Sequence, residues 1–124
     1  MVVAVDTSGS IQMDELKQFG GELTAILGEY QADCTVIYCD SKVQEIEEVG
    51  PYDLPLELKA TGGGGTDFIP PFRYLEELGD VPACLVYFTD GYCSSFPVDP
   101  AYPVLWVITS QTDFKPPFGE VVYL

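Results

Sequence analysis

The chain opens MVVAVDTSGSI (residues 1–11), and the reading of this stretch decides the fold. Val2 to Val5 is an unbroken apolar run, the pattern of a strand buried on both faces of a parallel sheet. Asp6-Thr7-Ser8-Gly9-Ser10 then offers one carboxylate and three hydroxyls before the next bulky side chain, Ile11. Taken alone, the carboxylate suits a nucleophile, one half of an aspartic protease dyad, a metal ligand or a helix cap.

The residues that follow carry a helical period. Leu16, Phe19, Leu23, Ile26, Leu27 and Tyr30 recur at spacings of three and four, with Asp14, Glu15, Lys17, Gln18 and Glu22 on the other side. Gly20-Gly21 costs roughly 1 kcal/mol per residue relative to Ala inside a helix, which predicts a close approach of helix to sheet. Thr35 to Cys39 reads as a second buried strand. Asp40-Ser41 reads as a tight turn into Lys42 to Val49, with Val43, Glu45, Glu47 and Val49 on one face and Gln44, Ile46 and Glu48 on the other. So short a turn makes that strand antiparallel, and its charges suit a sheet edge. Residues 50–61 are irregular, with one helical turn expected.

GGGGTDFIPPF (residues 62–72) leads into a helix over 72–78 that Thr66 or Asp67 caps and Pro70 or Pro71 opens. Cys84 to Thr89, Val104 to Thr109 and Glu120 to Leu124 are three more strands. The element order predicts one α/β domain over 1–124, an open, mostly parallel Rossmann-like sheet with one antiparallel edge strand. The connections after Asp90 and after Thr109 are about a dozen residues each and rich in proline, too short for a full packed helix. They leave part of one sheet face thinly covered, a place for a partner or another domain.

Composition narrows the chemistry. Twenty Asp and Glu against five Lys and Arg give a formal charge of −15, which repels nucleic acid and anionic membrane surfaces alike. Histidine is absent, removing His-based acid-base catalysis, the Ser-His-Asp triad and most zinc sites. Cys34 and Cys39 lie on opposite faces of one strand, and all four cysteines read as small buried residues of a reducing compartment. No run reaches the ~18 apolar residues of a membrane span, and the N-terminus lacks a signal-peptide pattern, so a cytoplasmic location is expected.

In an open α/β sheet, ligands bind beyond the carboxyl ends of the strands where the strand order reverses. Asp6, Ser8 and Ser10 follow the first strand, Thr66 sits in the glycine-rich loop and Asp90 ends the CLVYFT strand. These are hard oxygen donors, which suit Mg2+ or Mn2+ with water retained. Two carboxylates balance a divalent ion, and neutral hydroxyls leave it electrophilic enough to accept a carboxylate from outside. The donor set therefore points to a metal-dependent adhesion site. Each residue also has a plainer role by itself: Ser10 as a helix N-cap, Asp90 as a turn residue, Thr66 and Asp67 as a cap, and Asp40 as the hairpin turn. Phe68, Phe72, Tyr92 and Phe96 are candidates to rim the site.

At this point the three loops D-x-S-x-S, Gly-Gly-Thr-Asp and T-D-G resemble those of a von Willebrand factor type A (VWA) domain. More narrowly, DTSGS, TVIYCD, GGGGTDF with its Pro, VLWVIT and PPFGEVV resemble the bacterial VWA-like domain found behind a metallopeptidase-like domain. The resemblance implies a metal ion-dependent adhesion site in which Asp6, Ser8 and Ser10 hold the ion directly or through water. Thr66 would join in the ligand-bound state, Asp90 would bind directly or through water, and Asp67 would support the ligands from behind. It also implies an excised C-terminal domain, an upstream metallopeptidase-like domain and an AAA+ ATPase system as partners, and a protein partner that offers a carboxylate. The two short crossovers depart from the family pattern, and no C-terminal helix is available to move.

The rivals are weaker. The four glycines lack the Lys of a P-loop, and a pepsin-like dyad lacks its second D-T-G. The alternative enzyme is a metal-dependent phosphatase with Asp6 as nucleophile, but its second acid would fall at Ser8.

Overall fold

The computed structural model describes residues 1–124. The apolar runs form the strands they predict: β1 (Val2–Asp6), β2 (Cys34–Cys39), β3 (Val43–Val49), β4 (Leu85–Thr89), β5 (Val104–Ile108) and β6 (Glu120–Tyr123). They make one six-stranded sheet in the order β3-β2-β1-β4-β5-β6. Only the β2–β3 pair is antiparallel. The strand order reverses between β1 and β4, and the carboxyl ends of those strands flank the resulting crevice.

Helix α1 (Met13–Tyr30) covers one sheet face through Leu16, Phe19, Leu23 and Leu27, which pack on Val3, Val5, Val36, Tyr38, Val86, Phe88 and Val107. Its apolar stripe ends earlier than the spacing predicts. Ile26 is only half-buried, and Tyr30 is 71% exposed in the last turn, where the chain leaves through Gln31 in the left-handed region. The glycine pair serves a different neighbour from the one expected. A Cβ on Gly20 would lie 3.0 Å from the Leu56 carbonyl oxygen, while Gly21 meets nothing within 4 Å. The close approach is therefore to the irregular segment after β3, which lies along the helix, and the Leu56 N–H donates to Thr24 Oγ1 at 2.9 Å. That segment contains the single helical turn expected, a 3-10 turn over Pro51–Asp53.

The edge strand β3 carries a bulge that simple alternation misses. Cys39 pairs with Val43 and Tyr38 with Glu45, leaving Gln44 without a partner. One extra residue in a strand reverses the facing of everything before it, so Val43 joins Ile46 against one core while Val49 lies in the other.

Helix α2 (Ile69–Leu78) starts three residues earlier than its apolar period alone suggests, because Pro70 and Pro71 fit the first turn. It lies against the opposite sheet face with Phe72 and Leu75 buried. No helix forms in either later crossover. Aromatic side chains take over that work: Phe68, Phe96, Phe114 and Phe118 surround Trp106, which stacks on Tyr87 at a centroid distance of 5.1 Å. Such pairs add about 0.5–1.5 kcal/mol each beyond area burial. Trp106 is fully buried, and its indole N–H donates to the Phe118 carbonyl at 3.0 Å. The crossovers thus fill the α2 face themselves. The thinly covered region is on the α1 face over the far edge, where Leu105 is half-buried and Val122, in register with Val107, is 45% exposed.

The aromatic layer also corrects the rim assignment. Phe68 is fully buried among Tyr87, Phe96, Trp106 and Phe114, and Phe72 is buried with it, so neither rims the site. Phe96 packs inward on the same cluster; Tyr92 alone of the four is exposed. Phe68→Ala opens a hole at the centre of this layer and is expected to cost about 3–5 kcal/mol, read as a fall in the urea midpoint.

Candidate functional site

Three loops meet over the β1–β4 crevice. Asp6 is the last residue of β1, and a parallel strand buried on both faces delivers its side chain into the interior at 1% exposure. Its Oδ1 accepts the Ser8 N–H at 2.9 Å, and its Oδ2 accepts the Thr89 hydroxyl at 2.6 Å across the crevice. Ser8 is buried, and Ser8 Oγ lies 3.3 Å from Ser10 Oγ, so alternate residues of the loop converge as their spacing predicts. Ser10 is not the helix cap, since α1 is capped by Gln12 with Glu15 Oε1 accepting the Gln12 N–H at 2.9 Å. Its hydroxyl is left for Ser8.

Asp90 follows β4 and is buried at 2% exposure. Its Oδ1 accepts the Tyr92 N–H at 3.2 Å, the turn role its sequence position predicts, and Gln111 Nε2 donates to its backbone carbonyl at 2.6 Å. No hydrogen bond occupies its Oδ2. Burial pushes the Asp6 carboxyl above its ordinary range, and the charge of Asp90 adds to that push, while hydrogen bonds from Ser8 and Thr89 act against it. The chain's ion pairs involve only Lys59 and Lys115, neither of them with Asp6 or Asp90.

Thr66 is half-buried, and its backbone carbonyl accepts the Cys93 thiol at 3.5 Å, which sets it beside the chain leaving β4. Asp67 turns its carboxylate toward α2, where Oδ1 accepts the Ile69 N–H at 2.9 Å. The helix cap position itself is Phe68. The glycine loop is sewn to the DTSGS loop by two backbone bonds, Gly9 N–H to Gly64 O and Gly63 N–H to Thr7 O, both 2.9 Å. A Cβ on Gly9 would lie 2.8 Å from the Gly63 oxygen, so only glycine allows this approach.

Two residues of the site escaped the sequence reading. Thr89, fully buried, holds Asp6; its signal was a hydroxyl at the end of an otherwise apolar strand. Asp40 is more than the hairpin turn. At 4% exposure its Oδ1 accepts Lys42 N–H and Gln44 Nε2 while Oδ2 accepts Gly64 N–H at 3.0 Å. Burial pushes the Asp40 carboxyl up, but these hydrogen bonds outweigh it and hold the group below its ordinary range.

No three acidic or cysteine side chains gather at one point, so the donor set is two carboxylates with hydroxyls. Buried carboxylates without a basic partner are costly, and a divalent cation held by oxygen donors relieves that cost. The residues present fit such an ion. Cys34 and Cys39 lie in opposite cores, as their spacing predicts, whereas Cys84 and Cys93 are only half-buried; all four are free thiols. A groove of about 560 Å³ between α2 and the β4–β5 connection is lined by Phe72, Arg73, Val98 and Tyr102 and includes none of the candidate ligands.

Fold and loop arrangement together define a domain of the VWA-like class, and that class suggests a protein-interaction module. The chain belongs to the VWA-like domain family (DUF2201), which it matches over residues 1–124. No curated protein matches the sequence. VWA-like domains generally mediate protein interactions, and no helix here is long and apolar enough to cross a membrane.

The raised carboxyl carries a prediction. Because folding favours protonated Asp6, its ionisation costs stability, and that cost grows as pH rises above the ordinary value of 3.8. In chelator at neutral pH, Asp6→Asn is expected to melt at a higher temperature than wild type, with the gap closing toward pH 4; differential scanning calorimetry across that range checks it.

Proposed function

We propose that this domain is a metal ion-dependent adhesion module. Asp6, Ser8, Ser10, Thr66 and Asp90 would hold a Mg2+ or Mn2+ ion, directly or through water. The reading rests on one observation above the others: two buried carboxylates, without a basic partner, lie with two converging hydroxyls at the strand-order reversal. When bound, the ion supplies an electrophilic site for an acidic group of a partner protein. The chain's own residues do the rest. Thr89 and the Ser8 N–H orient Asp6, Gln111 and the Tyr92 N–H fix Asp90, and exposed Tyr92 stands beside the site with its hydroxyl on the Ser110 carbonyl at 3.1 Å.

Turnover is not expected from this domain. A phosphatase with Asp6 as nucleophile needs a second acid two residues on, and that residue is Ser8, whose hydroxyl faces Ser10. The metallopeptidase-like domain and AAA+ ATPase system implied by the sequence resemblance belong to the same proposal as partners, as does a cytoplasmic setting.

Because the ion binds only the folded state, Mg2+ should raise the melting temperature with concentration, by the equivalent of about 2.7 kcal/mol at one hundred times Kd. A Ser8→Ala/Asp90→Ala double variant should lose this response. An equal response in both proteins would remove the site, and phosphatase turnover abolished by Asp6→Asn would replace the adhesion reading with the enzymatic one.

A further inference from the structure

The glycine loop has no regular structure, yet the candidate ligand Thr66 depends on it for position. Five hydrogen bonds and two close approaches link that loop, or the turn that faces it, to Asp40. The Asp40 carboxylate accepts the Gly64 N–H on one side of Thr66, and the Asp40 backbone carbonyl accepts the Asp67 N–H at 3.1 Å on the other. Thr66 is therefore bracketed by bonds to a single residue of the β2–β3 turn. A Cβ on Gly62 or Gly64 would lie 3.0 or 2.9 Å from Asp40 Oδ2, so the carboxylate sits flush against the loop backbone. The remaining oxygen is held from behind by the Lys42 N–H at 3.1 Å and by Gln44 Nε2 at 2.9 Å, and the β3 bulge leaves Gln44 outside the strand pairing. Gly64 in turn accepts the Gly9 N–H, which carries the constraint into the Ser8–Ser10 loop.

From this bracket we infer that Asp40 is a positioning residue for the metal site, setting Thr66 against the Asp6–Ser10 loop without touching the ion. The inference rests on the adhesion-site reading and goes beyond it, since it assigns the spacing of two ligand loops to a residue outside all three motifs. Residues that orient metal ligands from behind change affinity by about 10- to 100-fold when replaced, and Asp40 acts on the backbone that carries the ligand.

The test uses Asp40→Asn. Asparagine has one carboxamide oxygen, and the two donors at the Oδ1 position claim it, so an NH2 group is left facing the Gly64 N–H. Mg2+ affinity measured by titration calorimetry is expected to fall about tenfold or more, with an altered Mn2+ electron paramagnetic resonance spectrum. Val49→Ala, at a buried position in the opposite core, lowers stability without touching the loops and should leave both readouts unchanged. Should Asp40→Asn fail to fold, Gly64→Ala decides, because its Cβ strikes the same oxygen from the loop side with Asp40 intact. Wild-type affinity in the folded Asp40 variant, or in Gly64→Ala if that variant is needed, overturns the inference and leaves the metal site standing. Absence of Mg2+ binding by the wild-type protein overturns the site itself, and the inference with it.

Discussion

A buried carboxylate at the end of a buried strand is the constraint from which the rest of this domain follows. Asp6 cannot reach bulk water, so every neighbour must either donate to it or stay apolar. Ser8 and Thr89 donate; Val5, Phe88 and Cys39 pack alongside in the sheet. Meeting that demand draws the DTSGS loop back over β1 and ties β4 to β1 by a side-chain bond as well as by the ladder. The second buried carboxylate, Asp90, then stands across the crevice, and the two together define an anionic recess in a chain that already carries −15.

The C-terminal half meets a different demand. Parallel strands need crossovers that cover the sheet, and here the crossovers are too short to be helices. Rings do the covering. Phe96 and Phe118 come from loops on either side of β5, Phe114 from the same loop as Phe118, and all meet Trp106, so a layer of aromatic side chains stands where a helix would otherwise pack. Aromatic residues bury much area with few rotatable bonds, which makes them effective in segments that have no backbone ladder of their own.

Much of this was legible in the chain. The strands, the antiparallel edge, the two helices and the family resemblance followed from apolar runs, periodicity and three motifs in order, because those signals are local. The candidate ligands Asp6, Ser8 and Ser10 were legible for the same reason, their convergence being a property of one loop. What escaped was set by contacts between segments far apart in sequence. Gly20 reads as a sheet contact until Leu56 is found above it; Phe68 reads as a rim residue until Trp106 is found beneath it. Asp40 reads as a turn residue because its turn bonds are local and its bond to Gly64 is not. The β3 bulge hid the facing of Val43, since alternation assumes that no residue is left over.

The aromatic layer has an optical consequence. The chain contains one tryptophan, and it lies fully buried on the side of the sheet away from α1, stacked on Tyr87 and ringed by phenylalanines. Its emission therefore reports first on that layer. Ring contact continues from Trp106 to Phe114, and Phe114 packs so closely on Gly91, the residue after Asp90, that a Cβ there would lie 2.8 Å from the ring. The lone fluorophore is thus two contacts from the loop that carries Asp90, near enough to sense a rearrangement there.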